Sequence, residues 1–220
     1  MTSHDNPWLA INPGDYDAHM SHPAVMQTQA LEQIIREQFA LIAAEERSTA
    51  TAAILGITNG NGLRYSDFGR VIGVDINQSF LDECAARYPD LHGSFVPLCI
   101  DLIAQWCEAA SALSGADLII ANLLIEHIGL DHFVRIVEAL AQARVLVSCV
   151  IQVNPDGSIA SHSGSEHAFD VVVTQVREIA DTALSAAMVE IGFELCSRKA
   201  YDLPKGKQFI RLDYAKGSPK

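Results

Sequence analysis

Three glycines, Gly56, Gly60 and Gly62, break the chain directly after the apolar run at 52–55. Glycine tolerates positive φ and carries no Cβ, so the loop Gly56, Ile57, Thr58, Asn59, Gly60 can let a nucleotide-like cofactor approach the backbone. An ordinary tight turn needs the same residues. Asp75 stands nineteen positions beyond Gly56, at the end of "RVIGVD". There a carboxylate can accept hydrogen bonds from both vicinal hydroxyls of a ribose. Asp101 follows "SFVPLCI" and can accept from the exocyclic amine of an adenine held between Ile76 and Leu102. Asn122 closes "ADLIIAN", and Glu126 and His127 enter the next turn, where either can act on a substrate proton. Each residue also has a plainer use. Asp75 can cap "NQSF", Asp101 can cap a helix that begins at Leu102, and Glu126 and His127 can sit on an exposed helical turn.

The elements that must position these residues follow from periodicity. Leu31, Ile34, Ile35, Phe39 and Ile42 recur at helical spacing, which predicts a helix from Val25 to about Arg47. Beyond it, apolar strand-like runs at 50–56, 70–75, 94–100, 116–122 and 144–153 alternate with helical segments. Those segments fall near 61–67 and at 77–87, 102–113, 131–142 and 174–191. Strand–helix alternation implies right-handed crossovers, so the fold class is α/β: doubly wound, with a mainly parallel seven-stranded sheet. The last two strand-like runs, 192–203 and 207–216, are joined by "PKG" with no helix between them, which predicts an antiparallel C-terminal strand pair. In such sheets ligands lie outside the carboxyl ends of the strands, where strand order reverses. The loop at Gly56 belongs to that crevice.

The chain has 220 residues, 49% of them hydrophobic, which is within the range of one larger α/β domain. A net charge of −12 without Lys/Arg clusters argues against nucleic-acid binding, whose affinity comes from phosphate neutralisation. Cys84, Cys99, Cys107, Cys149 and Cys196 show no CxxC spacing and read as reduced core thiols of a cytoplasmic protein. The N-terminus lacks the pattern of a signal peptide, and no apolar run approaches the ~18 residues of a membrane span. His162, Glu166 and His167 share a polar loop, but no element fixes them as metal ligands, so no metal site is expected. Homodimerisation is compatible with the sequence.

At this point the chain resembles the class I S-adenosylmethionine-dependent methyltransferases. "LGITNGNG" stands for their glycine motif, "VIGVDIN" for the ribose motif, "CIDL" for the adenine motif and "ADLIIANLLIEHI" for the fourth-strand motif. The likeness covers about residues 50 to 150, and the closing strand pair extends it. The segment "YDAHM...VMQTQALEQI" is similar to one that precedes the glycine loop in a bacterial branch of that family. The resemblance implies a Rossmann-like single domain with residues 1–47 as an N-terminal lid segment and helix. It also implies S-adenosylmethionine as cofactor, held by Gly56, Ile57, Thr58, Asn59, Gly60, Asp75, Ile76, Asp101, Leu102 and Asn122. Tyr16 and His19, with Met20 and Gln27 nearby, would fold over the cofactor, and Tyr16 and His19 would reach its amino-acid end.

Two positions depart from the family pattern: Ile54 stands where an acid is usual and Thr58 where a glycine is. A lid would supply the missing contacts. No Asn-Pro-Pro-aromatic cluster follows the fourth strand, which leaves a small molecule or an unknown group as methyl acceptor. Two other readings stay open: a nucleoside-binding or regulatory protein that has lost catalysis, and a nicotinamide-dependent dehydrogenase. The latter would prefer a third glycine where the chain has Tyr65. Before the helix, "WLAINPGDYDAHMSHP" is too rich in Pro, Gly and Asp to be read as regular, so its order would come from packing over a ligand.

Overall fold

Ala, Val, Ile and Leu dominate β1 (Thr51–Leu55), β2 (Arg70–Asp75), β4 (Leu118–Asn122) and β5 (Leu146–Val153) because these strands are covered on both faces. The computed structural model describes residues 6–91, 93–140, 144–154, 172 and 176–216. With β3 (Phe95–Cys99), β6 (Phe193–Asp202) and β7 (Gln208–Lys216), these strands form one sheet in the order β3-β2-β1-β4-β5-β7-β6. The first five run parallel, and β7 is antiparallel to both β5 and β6. The expected doubly wound, mainly parallel sheet with an antiparallel C-terminal pair is therefore what the chain forms. Strand order reverses between β1 and β4, which fixes the crevice.

Alternate residues of each central strand enter different cores. Ala53, Leu55, Ile119 and Val147 face the side covered by α5 (Trp106–Ala112), α7 (Leu130–Leu140) and α8 (Asp181–Glu190), where Leu113, Phe133 and Leu184 are fully buried. Ala52, Ile54, Val71 and Ile120 face the other side, against Ile35 and Phe39 of α2 (Gln27–Phe39) and Leu81 and Cys84 of α4 (Gln78–Arg87). Phe39 is thus a core residue, packed on Phe68.

Several expected elements differ. The segment read as irregular contains α1 (Pro13–Ser21). Its start has a sequence cause: Asn12 accepts the Gly14 N–H at 2.8 Å, Pro13 occupies the first turn and Asp15 follows. Only Met20 of α1 is buried, so the apolar period that would have revealed it is absent. The expected long helix stops at Phe39, and a turn leads to α3 (Ala44–Arg47), letting Ile42 pack beside Ala50 under the sheet. The segment near 61–67 holds only a 3-10 turn, Leu63–Tyr65, and residues 176–180 are not helical. Among the cysteines, only Cys84 and Cys149 are buried; Cys99, Cys107 and Cys196 are exposed. Cys99 and Cys196 lie on β3 and β6, the two edge strands of the sheet.

Candidate active site

A cavity of about 1160 Å³ opens at the carboxyl ends of β1, β2, β4 and β5, with α1 bridging α2 and α4 above it. That exceeds the ~300–1,000 Å³ of typical small-molecule sites, so it has room for two ligands side by side. Every residue expected to hold a cofactor lines it, as do Glu126 and His127.

Asp75 is 6% exposed, and its two carboxylate oxygens accept the Thr58 and Asn77 N–H groups, each at 2.9 Å. Burial pushes its carboxyl up to about 6 against these hydrogen bonds. With Ile76 also directing its backbone N–H at this carboxylate, one lone-pair site remains for a ligand hydroxyl. Asp101 accepts the Ile103 and Ala104 N–H groups through Oδ1 at 2.8 and 3.1 Å, so it does cap the turn that follows β3. Ile76 stands half-buried at the rim, and Leu102 turns into the core.

The glycine loop is shaped mainly by protein packing. A Cβ on Gly62 would fall 2.0 Å from Ile35 Cγ2, and one on buried Gly60 would fall 2.5 Å from Cys84 Sγ. Gly60 and Gly62 therefore let α2 and α4 close on the loop; only Gly56, opposite Leu124 at 3.0 Å, borders the cavity more loosely. Thr58 holds φ +47° and Leu123, just after β4, φ +55°. Such left-handed backbone is costly for residues with a Cβ and tends to gather at functional sites. Ile54 is 6% exposed and presents no polar group to the cavity it lines.

The N-terminal segment owes its order to the protein. Asn77 donates its side-chain N–H groups to the carbonyls of Trp8 and Ile11, and Asn59 donates to that of Pro13. Tyr16 packs edge-on to Phe80 with ring centroids 5.4 Å apart. Its hydroxyl pairs with the Thr58 side chain, and burial, outweighing that hydrogen bond, pushes its pKa up to about 12. Tyr16 thus stands over the Asp75 end of the cavity. His19 lies beside His22 and Lys207, towards β7, with its pKa lowered mainly by burial. Met20 enters a third core with Leu31 and Val150.

At the other end, Glu126 in α6 (Ile125–Ile128) is 5% exposed. Its Oε1 accepts the Gln152 N–H at 2.8 Å, while Oε2 is buried with no partner among the described residues. Burial pushes its pKa up to about 7 despite the backbone hydrogen bonds. Gln152 accepts from Gln27 Nε2 at 2.7 Å and donates to Asn154 Oδ1 at 2.7 Å. His127 accepts the Trp8 indole N–H on Nδ1 at 3.3 Å, and burial drops its pKa to about 4, so the ring is neutral and one nitrogen is held by the segment above it. Asn122 lines the cavity, but its amide is engaged in a reciprocal pair with Gln38, at 2.8 and 2.9 Å. Gln38 continues to Ser148, which donates to Asp213 at 2.6 Å.

Four buried side-chain polar atoms lack a partner among the described residues, and three of them, on Asn59, Glu126 and His132, belong to residues that line this cavity. An orphaned buried polar atom costs about 1–3 kcal/mol, so this clustering marks where a ligand would offset the cost. Gln152, Trp8 and His132 were not expected at the site. Gln152 alone left a signal in the sequence, as a single amide inside the apolar run "VIQV". No group of metal-ligating side chains occurs among the described residues. His162, Glu166 and His167 lie outside them.

The strand order and the crevice at its reversal give the chain the fold of the class I S-adenosylmethionine-dependent methyltransferases. It is similar to the magnesium protoporphyrin IX methyltransferase of Synechocystis PCC 6803 with bound SAM, at TM-score 0.64 and 10% identity over 93% of this chain and 90% of that one. It is also similar to the 1,6-didemethyltoxoflavin-N1-methyltransferase of Burkholderia thailandensis with bound substrate and S-adenosylhomocysteine, at TM-score 0.61 and 17% identity over 94% and 88%. A candidate RNA methyltransferase of Pyrococcus horikoshii follows at TM-score 0.58 and 14% identity, over 86% and 85%. No protein-family model and no curated protein matches the sequence.

Proposed function

We propose that the chain is an S-adenosylmethionine-dependent methyltransferase whose acceptor is a small molecule. The observation that carries this is Asp75, a buried carboxylate at the end of β2 that is anchored to the glycine loop and lines the cavity with acceptor capacity left over. In this reading Asp75 accepts from a ribose hydroxyl. Asp101, through the oxygen not used in its turn, accepts from the adenine amine beside Ile76. The residues fit the cofactor at the nucleoside end; at the amino-acid end Ile54 supplies no charge. Asn59, whose Oδ1 is buried without a partner among the described residues, can accept there, with Gly56, Ile57, Thr58 and Gly60 shaping the loop.

When bound, S-adenosylmethionine supplies an electrophilic methyl on a sulfonium. The protein contributes orientation and exclusion of water. Trp8 and Tyr16 cover the nucleoside end, and His19 extends the cover towards β7. His127, tied to Trp8, serves in this reading as an anchor for the cover, and Asn122, tied to Gln38, as a fixed edge of the crevice.

The acidic net charge favours a small acceptor over nucleic acid, although one structural neighbour is a candidate RNA methyltransferase. No helix among the described residues is long and apolar enough to cross a membrane. The dehydrogenase and regulatory readings gain no support from the neighbours described above. Incubation with methyl-labelled S-adenosylmethionine and a small-molecule extract tests the proposal: label should move to a low-mass product. Label recovered only in RNA would reject the small-molecule acceptor, and label that stays on the cofactor while S-adenosylhomocysteine binds would favour the regulatory reading.

A further inference from the structure

The strand order sets out the crevice as a line. From β3 to β5 its strand ends carry Asp101, Asp75, the Gly56 loop, Asn122 and then Gln152. An adenosine held by Asp101 and Asp75 would occupy the β3–β2 end of this line. The acceptor is left the β4–β5 end, where Glu126 and Gln152 stand. This ordering rests on the cofactor reading given above.

The chemistry of that end is restricted. One oxygen of Glu126 is fixed by the Gln152 N–H, and the other is buried at the cavity without a partner among the described residues. A carboxylate oxygen accepts hydrogen bonds and repels anions. Among the described residues, burial and backbone hydrogen bonds are what perturb the Glu126 carboxyl. Arg177, which also lines the cavity, donates its backbone N–H to the Glu126 carbonyl, and its guanidinium lies against Gly129. His127 beside it is neutral. The neighbouring amides, Gln27 and Asn154, are joined through the Gln152 side chain. Met20, Leu31 and Leu123 line the same cavity and pack together with Val150 of β5, so the wall on this side is apolar.

We infer that the acceptor is a neutral, largely apolar molecule presenting an O–H or N–H to Glu126 Oε2, a phenol or a ring or aryl N–H rather than a carboxylate, a phosphate or a carbon centre. In the transfer, the lone pair of the acceptor heteroatom forms the new bond to the methyl carbon. The C–S pair stays with sulfur, leaving a neutral thioether, and the O–H or N–H proton passes to Glu126 Oε2. Charge and atoms balance: one cation and one carboxylate become a neutral thioether and a carboxylic acid.

The test uses 15N-labelled full-length protein saturated with S-adenosylhomocysteine, whose binding is first established by calorimetry, and follows the Gln152 backbone amide while phenol, anisole or benzoate is added. Phenol should shift that amide, anisole and benzoate should not, and Glu126→Gln should weaken phenol about tenfold or more. An equal response to anisole or benzoate, no response to phenol, or phenol affinity unchanged in Glu126→Gln would overturn the inference while leaving the cofactor reading in place. Absence of S-adenosylhomocysteine binding would overturn the cofactor reading itself, and with it this ordering of the crevice.

Discussion

Trp8 donates its indole N–H to Nδ1 of His127 across 3.3 Å, so a residue that precedes every strand is tied to the turn after β4. Trp8→Phe keeps a ring beside Tyr16 and Phe80 and removes only this bond. Urea unfolding should show a loss of about 0.5–1.5 kcal/mol. Burial places the folded pKa of His127 at about 4, below its usual 6.5. Its stabilising contribution is therefore present above about pH 6.5 and fades as pH falls towards 4. His127→Gln, which can still accept from Trp8, should show a shallower loss of stability between pH 6.5 and 4 than the unaltered protein.

Glu126 has the opposite sign. Its pKa is raised to about 7, so the folded state holds the proton more tightly than the unfolded chain, and stability from this group declines as pH climbs from about 4.5 to 7. Glu126→Gln retains an acceptor for the Gln152 N–H and removes the buried charge. Melts at pH 8 should find the variant more stable by about 1–2 kcal/mol, with a flatter profile between pH 4.5 and 7. A variant less stable at pH 8 would show that the carboxylate has a partner that offsets its burial.

Asp75→Ala should weaken S-adenosylhomocysteine more than Asp101→Ala. The ribose contact is charge-assisted, and its loss is worth roughly 1.5–3 kcal/mol, whereas adenine also keeps apolar contact with Ile76. Calorimetry at pH 8, above the raised Asp75 pKa, reads both. Negligible effects from both variants would move the site elsewhere.

Gly62→Ala should destabilise the fold without contacting the ligand, because the added Cβ meets Ile35 at 2.0 Å and φ is +83°. Gly56→Ala, with φ +67° but only the end of Leu124 at 3.0 Å, should cost less, about 1–2 kcal/mol from backbone strain. Thermal melts of the two variants give the order directly.

The sheet was legible because its strands alternate with helices and their apolar runs are continuous, and the turn "PKG" announced the final hairpin. The carboxylates at 75 and 101 were legible by position. The helix at Pro13–Ser21 was hidden although Asn12 and Pro13 form a helix start, because only Met20 turns inward and the apolar period is missing. Gly60 lines the cavity but also packs on Cys84, and Gly62, outside the cavity lining, packs on Ile35, a distinction that spacing along the chain does not carry. Tyr16, expected over a cofactor, lines the cavity and pairs with Thr58, but its anchoring on Phe80 of α4 depends on the folded position of α1 and left no trace in the sequence. The N-terminal segment, expected to gain its order over a ligand, is also ordered by the protein, because Ile11 and Met20 are buried. Pairings such as Asn122 with Gln38, 84 positions apart, depend on the folded arrangement alone.

The central claim is that the crevice holds S-adenosylmethionine, and its most direct test is a thermal-shift titration of the unaltered protein with S-adenosylhomocysteine, set beside NAD. At ~100 times its dissociation constant, S-adenosylhomocysteine should stabilise the fold by about 2.7 kcal/mol, and NAD should leave the melting temperature unchanged. A rise with NAD and none with S-adenosylhomocysteine would contradict the account.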